Sequence, residues 1–137
     1  MGYSYLFNCH KCQHSQQLYE GHGFMIHDQT ADELMSSNSR LVHYKTRRKI
    51  AKLTEKYQHL HVKMEYKIYR CHQCLQLSDK LFIQVERDGL VLHQTHFRCS
   101  NCGITLKHTN IHRVKFAICP KCKSKRFEKS KELVLWD

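Results

Sequence analysis

Proline and glycine are scarce: one of 137 residues is proline (Pro120) and five are glycine. That excludes collagen-like, low-complexity and linker-dominated chains. Long apolar runs are missing too. Runs such as Leu81-Phe82-Ile83 are strand-sized, far short of the roughly 18 residues a membrane helix needs. The start, MGYSYLFNCHKC, shows no basic segment leading into an apolar one, so no secretory signal is read there. Position 6 is Leu6, where N-myristoylation calls for Ser or Thr. These absences predict a cytoplasmic protein with no membrane partner, in a compartment where thiols stay reduced. Catalytic equipment is missing as well. There is no phosphate-binding glycine loop, no Ser/His/Asp set and no paired carboxylates. No His-x-Glu precedes Cys119-Pro120-Lys121-Cys122, as a zinc deaminase would require. The expectation is a protein that is not an enzyme.

Acidic residues are few. Twelve Asp and Glu face 23 Lys and Arg, a net charge of +11. The excess is uneven: residues 1–39 carry −3, residues 40–70 carry +8, residues 71–98 are neutral and residues 99–137 carry +6. Two basic blocks therefore flank a neutral middle.

What the chain does have is alternation. Tyr3, Tyr5 and Phe7 predict a first strand by their period of two. A second strand-like stretch runs through Leu18 and Phe24-Met25-Ile26, broken at Gly21 and Gly23. Thr30-Ala31-Asp32-Glu33 reads as a capping box opening a short helix over about 31–36, with a loop at Ser36-Ser37-Asn38-Ser39. The longest helix is expected over about 42–60, where Ile50, Leu53, Tyr57 and Leu60 share one face. Val62, Met64, Tyr66 and Ile68 then alternate as a half-buried strand. Leu81, Ile83 and Val85 begin a hairpin that turns at Asp88-Gly89 and returns through Leu90 to Phe97. Ile104 and Leu106 lead to a turn near Thr109-Asn110. A strand through Val114, Phe116 and Ile118 follows, and a last one over 132–136.

Eight cysteines punctuate these strands as four Cys-x-x-Cys pairs: Cys9/Cys12, Cys71/Cys74, Cys99/Cys102 and Cys119/Cys122. Two residues between cysteines let both sulfurs face one ion at about 2.3 Å, so each pair is half of a tetrahedral site. Disulfides would need an oxidising compartment, and redox Cys-x-x-Cys motifs open helices rather than join strands. Sixteen residues separate Cys102 from Cys119, the spacing of a zinc ribbon whose two knuckles flank a hairpin. By elimination Cys9, Cys12, Cys71 and Cys74 make the other site across 58 residues. Interleaved pairings remain open, and so does iron in place of zinc. Four thiolates leave no open position for water, so two structural zinc ions are expected. His10 and His72, inside their knuckles, read as exposed loop residues.

Lys45, Arg47, Arg48, Lys49, Lys52 and Lys56 cluster on the long helix, and Lys121, Lys123, Lys125 and Arg126 cluster around the last knuckle. Two such blocks suit a polyanion, and nucleic-acid phosphate is the commonest in a cell. The alternative is a docking module for a protein partner, its lysines merely balancing the thiolates.

The runs NCHKC (8–12), RCHQC (70–74), RCSNCG (98–103) and ICPKC (118–122), with FNCHKC followed by LYEGHGFMI, resemble the zinc-ribbon group and small bacterial double-zinc-ribbon proteins. The resemblance implies a ribbon opening the chain, a helical insert, and a second ribbon closing it. The glycine usual after each knuckle stands only at Gly103; Gln13, Leu75 and Lys123 replace it elsewhere. The expected fold is therefore α+β, β-rich and zinc-stabilised. A first ribbon over 1–78 would carry the basic helical insert at about 30–60, and a hairpin plus second ribbon would fill 79–137.

Overall fold

A computed structural model describes residues 2–23, 26–37, 40–114 and 116–136. The chain is α+β and β-rich, with two α-helices among the described residues. Its contacts divide it into two compact units. The first comprises Met1–Phe24, Tyr66–Lys80 and His96–Asp137; the second comprises Met25–Glu65 and Leu81–Thr95. Neither unit is one continuous stretch, and the division does not fall at the expected 78/79 boundary.

The first unit is built on β1 (Gly2–Cys9), β2 (Ser15–Gly21), the end of β4 (His61–Arg70), β7 (Lys107–His108), β8 (Phe116–Ala117) and β9 (Phe127–Trp136). β1 lies between two antiparallel partners. Asn8 pairs with Ser15 on the β2 side and Cys9 with Phe127 on the β9 side. The terminal strand is thus interior rather than an edge, because β8 pairs with its other side at Phe116↔Glu128. β2 meets β4 at Gly21↔Tyr66, and β7 pairs with Tyr69 and Arg70 at the end of β4. The expected alternation in β1 holds for Tyr5 and Phe7, both buried. Tyr3 is exposed instead, and a register shift between Tyr5 and Phe7 breaks the period. Phe7 stacks on Phe127 at 5.4 Å between ring centroids, inside a core with Leu18, Ile68, Leu77 and Ile111.

The second unit holds β3 (Gln29–Thr30), α1 (Ala31–Ser36), α2 (Tyr44–Lys56), the start of β4, most of β5 (Leu77–Arg87) and β6 (Leu90–Gln94). Thr30 caps α1, its hydroxyl accepting from the Glu33 N–H at 3.2 Å, which satisfies one orphan donor of the first turn. α2 is shorter than the apolar stripe predicts. His43 is its N-cap, with Nδ1 accepting from the Lys45 N–H, and it stops at Tyr57, whose ψ of 149° is extended. Ile50 is buried and Leu53 and Tyr57 half-buried, while Leu60 is buried beyond the helix. Val62 and Met64 are buried alternately along β4 as expected. Asp88 (φ 51°) and Gly89 (φ 82°) are both left-handed, the two-residue turn that joins Arg87 to Leu90. β6 ends at Gln94, short of Phe97, where Thr95 Oγ1 accepts from the Ile83 N–H at 3.0 Å. β2 ends at Gly21, and the expected continuation at Phe24-Met25, like Asn38-Ser39 of the expected loop, lies outside the described residues.

Candidate metal centres

All four knuckles fold alike. In each, the first cysteine's carbonyl accepts from the residue four positions on: Gln13 N–H to Cys9 at 3.0 Å, Leu75 to Cys71 at 2.8 Å, Gly103 to Cys99 at 2.8 Å and Lys123 to Cys119 at 2.9 Å. In each, the first cysteine's N–H donates to the carbonyl five positions on: His14, Gln76, Ile104 or Ser124. Closing that loop forces the residue after the second cysteine to a left-handed φ: 64° at Gln13, 62° at Leu75, 72° at Gly103 and 62° at Lys123. Sequence reading marks that position as the place of a usual glycine, but not that Gln, Leu and Lys adopt glycine's conformation there.

The knuckles then meet in pairs, and the pairing is nested. Cys9, Cys12, Cys119 and Cys122 come together, as do Cys71, Cys74, Cys99 and Cys102, with each set's sulfurs all within 4.8 Å of one another. This corrects the sequential pairing of Cys9/Cys12 with Cys71/Cys74 and of Cys99/Cys102 with Cys119/Cys122. Strand pairing is the reason. The first knuckle joins β1 to β2 and the last joins β8 to β9; β1 pairs with β9 along its length, so the two turns lie side by side. The inner pair forms because β7 pairs with the end of β4, and Arg98 bridges Thr105 around the third knuckle. Both sites belong to the first unit.

The sulfur geometry fits a metal. Cys9 and Cys122 Sγ lie 3.5 Å apart, Cys12 and Cys119 3.6 Å, and Cys74 and Cys99 3.5 Å. A disulfide needs about 2.05 Å, and all eight cysteines are free. Tetrahedral bonds of about 2.3 Å to zinc place sulfurs about 3.8 Å apart. A four-sulfur tetrahedral set suits zinc or iron. The first cysteine of every knuckle is buried and the second half-buried, so each ion would be enclosed on one side and close to solvent on the other.

Electrostatics differ within each knuckle. The N–H of Cys12 and then that of Lys11, each 3.4 Å from the Cys9 sulfur, hold its thiol down to about 6 against the opposing effect of burial. The Cys74 N–H does the same for Cys71, also at about 6. N–H groups of Cys102 and Asn101 lower Cys99. At Cys119 burial raises the thiol, but the N–H groups of Cys122 and Lys121 prevail and lower it. Cys12, Cys74 and Cys102 go the other way. The His14 N–H favours the Cys12 thiolate, yet burial and the crowding sulfurs push that thiol up to about 12. Burial first, then neighbouring sulfurs, push Cys102 up to about 12 and raise Cys74. In the first three knuckles the turn thus favours one thiolate, and the second proton leaves only in exchange for a cation.

The histidines stay outside. His10 pairs with Glu128 at 3.0 Å and His14 stacks on Phe127, while His72 is exposed. Of the basic candidates, Lys45, Arg48, Lys49, Lys52 and Lys56 are exposed on α2. Arg47 is not. Its guanidinium reaches back to the Leu34 carbonyl at 3.2 Å and to the Ser37 carbonyl, closing the C-terminal end of α1. Spacing alone does not separate Arg47 from its neighbours, since the carbonyls it serves lie 10 and 13 residues away. Lys121, Lys123, Lys125 and Arg126 are exposed around the last knuckle, and Lys11 is exposed in the first, so the outer site has a basic rim. Among the described residues none of these cations has a carboxylate partner. No described helix is long and apolar enough to cross a membrane. Comparison with protein-family models, curated proteins and solved structures returns no match.

Proposed function

We propose that the protein carries two structural zinc ions and presents the basic residues around the outer site and on α2 to nucleic-acid phosphates. Zinc is favoured because four buried or half-buried thiolates leave no position for substrate and suit a redox-silent tetrahedral ion. Cobalt substitution, elemental analysis and the absence of an iron chromophore in purified protein test that choice. The observation that carries the nucleic-acid reading is the set of exposed lysines and arginines without carboxylate partners among the described residues. Cations that serve only local structure are usually spent on local acceptors, as Arg47 is spent on the Leu34 and Ser37 carbonyls. Contacts of this kind bind phosphates and read base sequence weakly.

Tyr44 strengthens the reading. It is 59% exposed at the start of α2, its ring tilted against His43 at 4.6 Å between centroids and with the Arg48 guanidinium 5.8 Å over it. An open aromatic among cations is the surface on which single-stranded bases stack. One observation favours a docking role instead: Tyr3 and Leu135, register partners across β1 and β9, are both exposed apolar residues. Fluorescence anisotropy of metal-loaded protein with single- and double-stranded DNA and RNA over a salt series decides. Affinity that falls with a log–log slope of several supports phosphate binding. No binding at low salt removes it and leaves docking.

A further inference from the structure

Arg70 ends β4 immediately before Cys71. It is half-buried, and its Nε is sealed from solvent with no hydrogen-bond partner. No carboxylate pairs with it among the described residues. A guanidinium is always charged and carries five donors, so leaving one part-buried without an acceptor is costly. Arg70 lines a cleft of about 180 Å³ in the first unit together with Leu75, Ala117, Ile118 and Lys125. Lys125 has no carboxylate partner among the described residues either. Among the described residues the cleft therefore sets two uncompensated cations beside an apolar floor, with no acidic residue in its lining.

We propose that this cleft binds a phosphate monoester. Such a group carries about −1.5 to −2 charge near neutral pH and so matches both cations, whereas a carboxylate would answer only one. The guanidinium fork engages two phosphate oxygens and Lys125 acts as a point charge. The esterified group rests on Leu75, Ala117 and Ile118. A cleft of this size admits one phosphate and the group it esterifies, not a run of strand. The phosphate belongs either to a strand end or to a free sugar phosphate. The site stands whether or not the basic surfaces bind nucleic acid.

The test uses full-length, metal-loaded protein and follows the Arg70 Nε–H resonance by NMR. The probes are ribose 5-phosphate, ribose, and one short oligonucleotide with and without a 5′-phosphate. The expected result is a shift of the Arg70 Nε–H with phosphorylated probes only, and roughly tenfold weaker binding in Arg70→Gln and in Lys125→Gln. Saturation by ribose 5-phosphate identifies a small-molecule site, and saturation by the phosphorylated oligonucleotide alone identifies a strand-end site. Because Arg70→Gln borders the inner metal site and can disturb it, Lys125→Gln carries the decision on its own. Equal affinity with and without phosphate, or an unmoved Arg70 resonance, overturns the proposal and leaves Arg70 as a counter-charge to the neighbouring thiolates.

Discussion

Four residues in this chain hold the same strained place. Gln13, Leu75, Gly103 and Lys123 all sit at φ between 62° and 72°, where a side chain costs about 1–2 kcal/mol and glycine avoids that strain at an entropic cost of about 0.5–1 kcal/mol. Nothing crowds Gly103, since a Cβ added there meets no atom within 4 Å; the penalty of a side chain would be conformational alone. Gly103→Ala should therefore lower the stability of the metal-loaded protein by about 1 kcal/mol, and Lys123→Gly should raise it by about 0.5 kcal/mol. Thermal unfolding measures both, and equal effects of opposite sign at the two sites are not expected. Three knuckles carry a side chain there, and a structural zinc bound at the site would supply roughly 10–16 kcal/mol to hold the loop closed.

The thiols make a second prediction at this scale. Cys71 sits at about 6 in the fold against an ordinary 9.0, so its contribution is full above pH 9 and is lost as pH falls through about 6. Cys99 is lowered in the same sense, while Cys74 and Cys102 are raised and keep their protons at neutral pH. Metal uptake by the inner site near pH 7.5 should then release fewer than four protons, because Cys71 has already lost its own. Because protons are products, affinity should fall as pH falls. Calorimetry in buffers of different ionisation enthalpy counts the protons; release of four would mean the knuckle N–H groups do not stabilise the thiolates.

Among the elements, α2 carries two kinds of cation that look alike in sequence. Lys45, Lys49, Lys52 and Lys56 are exposed, and reversing all four to Glu should leave far-ultraviolet circular dichroism and melting nearly unchanged while removing salt-sensitive binding to polyanions. Arg47 should behave in the opposite way. Arg47→Ala removes the guanidinium from the Leu34 and Ser37 carbonyls, although Leu34 keeps the Ser37 N–H and hydroxyl; this should cost about 1 kcal/mol and leave polyanion affinity nearly intact. Lys at this position should rescue only partly, because an ammonium cannot reproduce the planar fork. If the lysine reversal leaves binding untouched, α2 is not part of the interface.

For the molecule as a whole, the nested pairing separates cleanly from the sequential one. Cys12→Ser with Cys122→Ser strikes the outer site twice and should leave one metal ion per chain. Cys12→Ser with Cys74→Ser strikes both sites and should leave none, together with loss of cooperative unfolding in the first unit. Sequential pairing reverses both results, and metal analysis after gel filtration reads them directly. Chain entropy does not forbid the long connection. Enclosing residues 13–118 rather than the 16 between Cys102 and Cys119 costs only about 2 kcal/mol more in loop closure, small beside the binding energy of the metal.

The sequence by itself determined what is local: the four half-sites, the period-two strands through Tyr5, Phe7, Val62 and Met64, the cap at Thr30 and the turn at Asp88-Gly89. Each depends on neighbours within a few residues, so each is written in the order of side chains. The tertiary structure decided what is not local. Which knuckles share an ion follows from β9 pairing with β1 and β7 pairing with β4, and a Cys-x-x-Cys turn carries no mark of its distant partner. It also decided that Arg47 serves a helix end and that Arg70 is left without an acceptor. The physical reason is the same in every case: spacing along the chain sets which atoms can face one another, while the pairing of strands far apart in sequence sets which of them do.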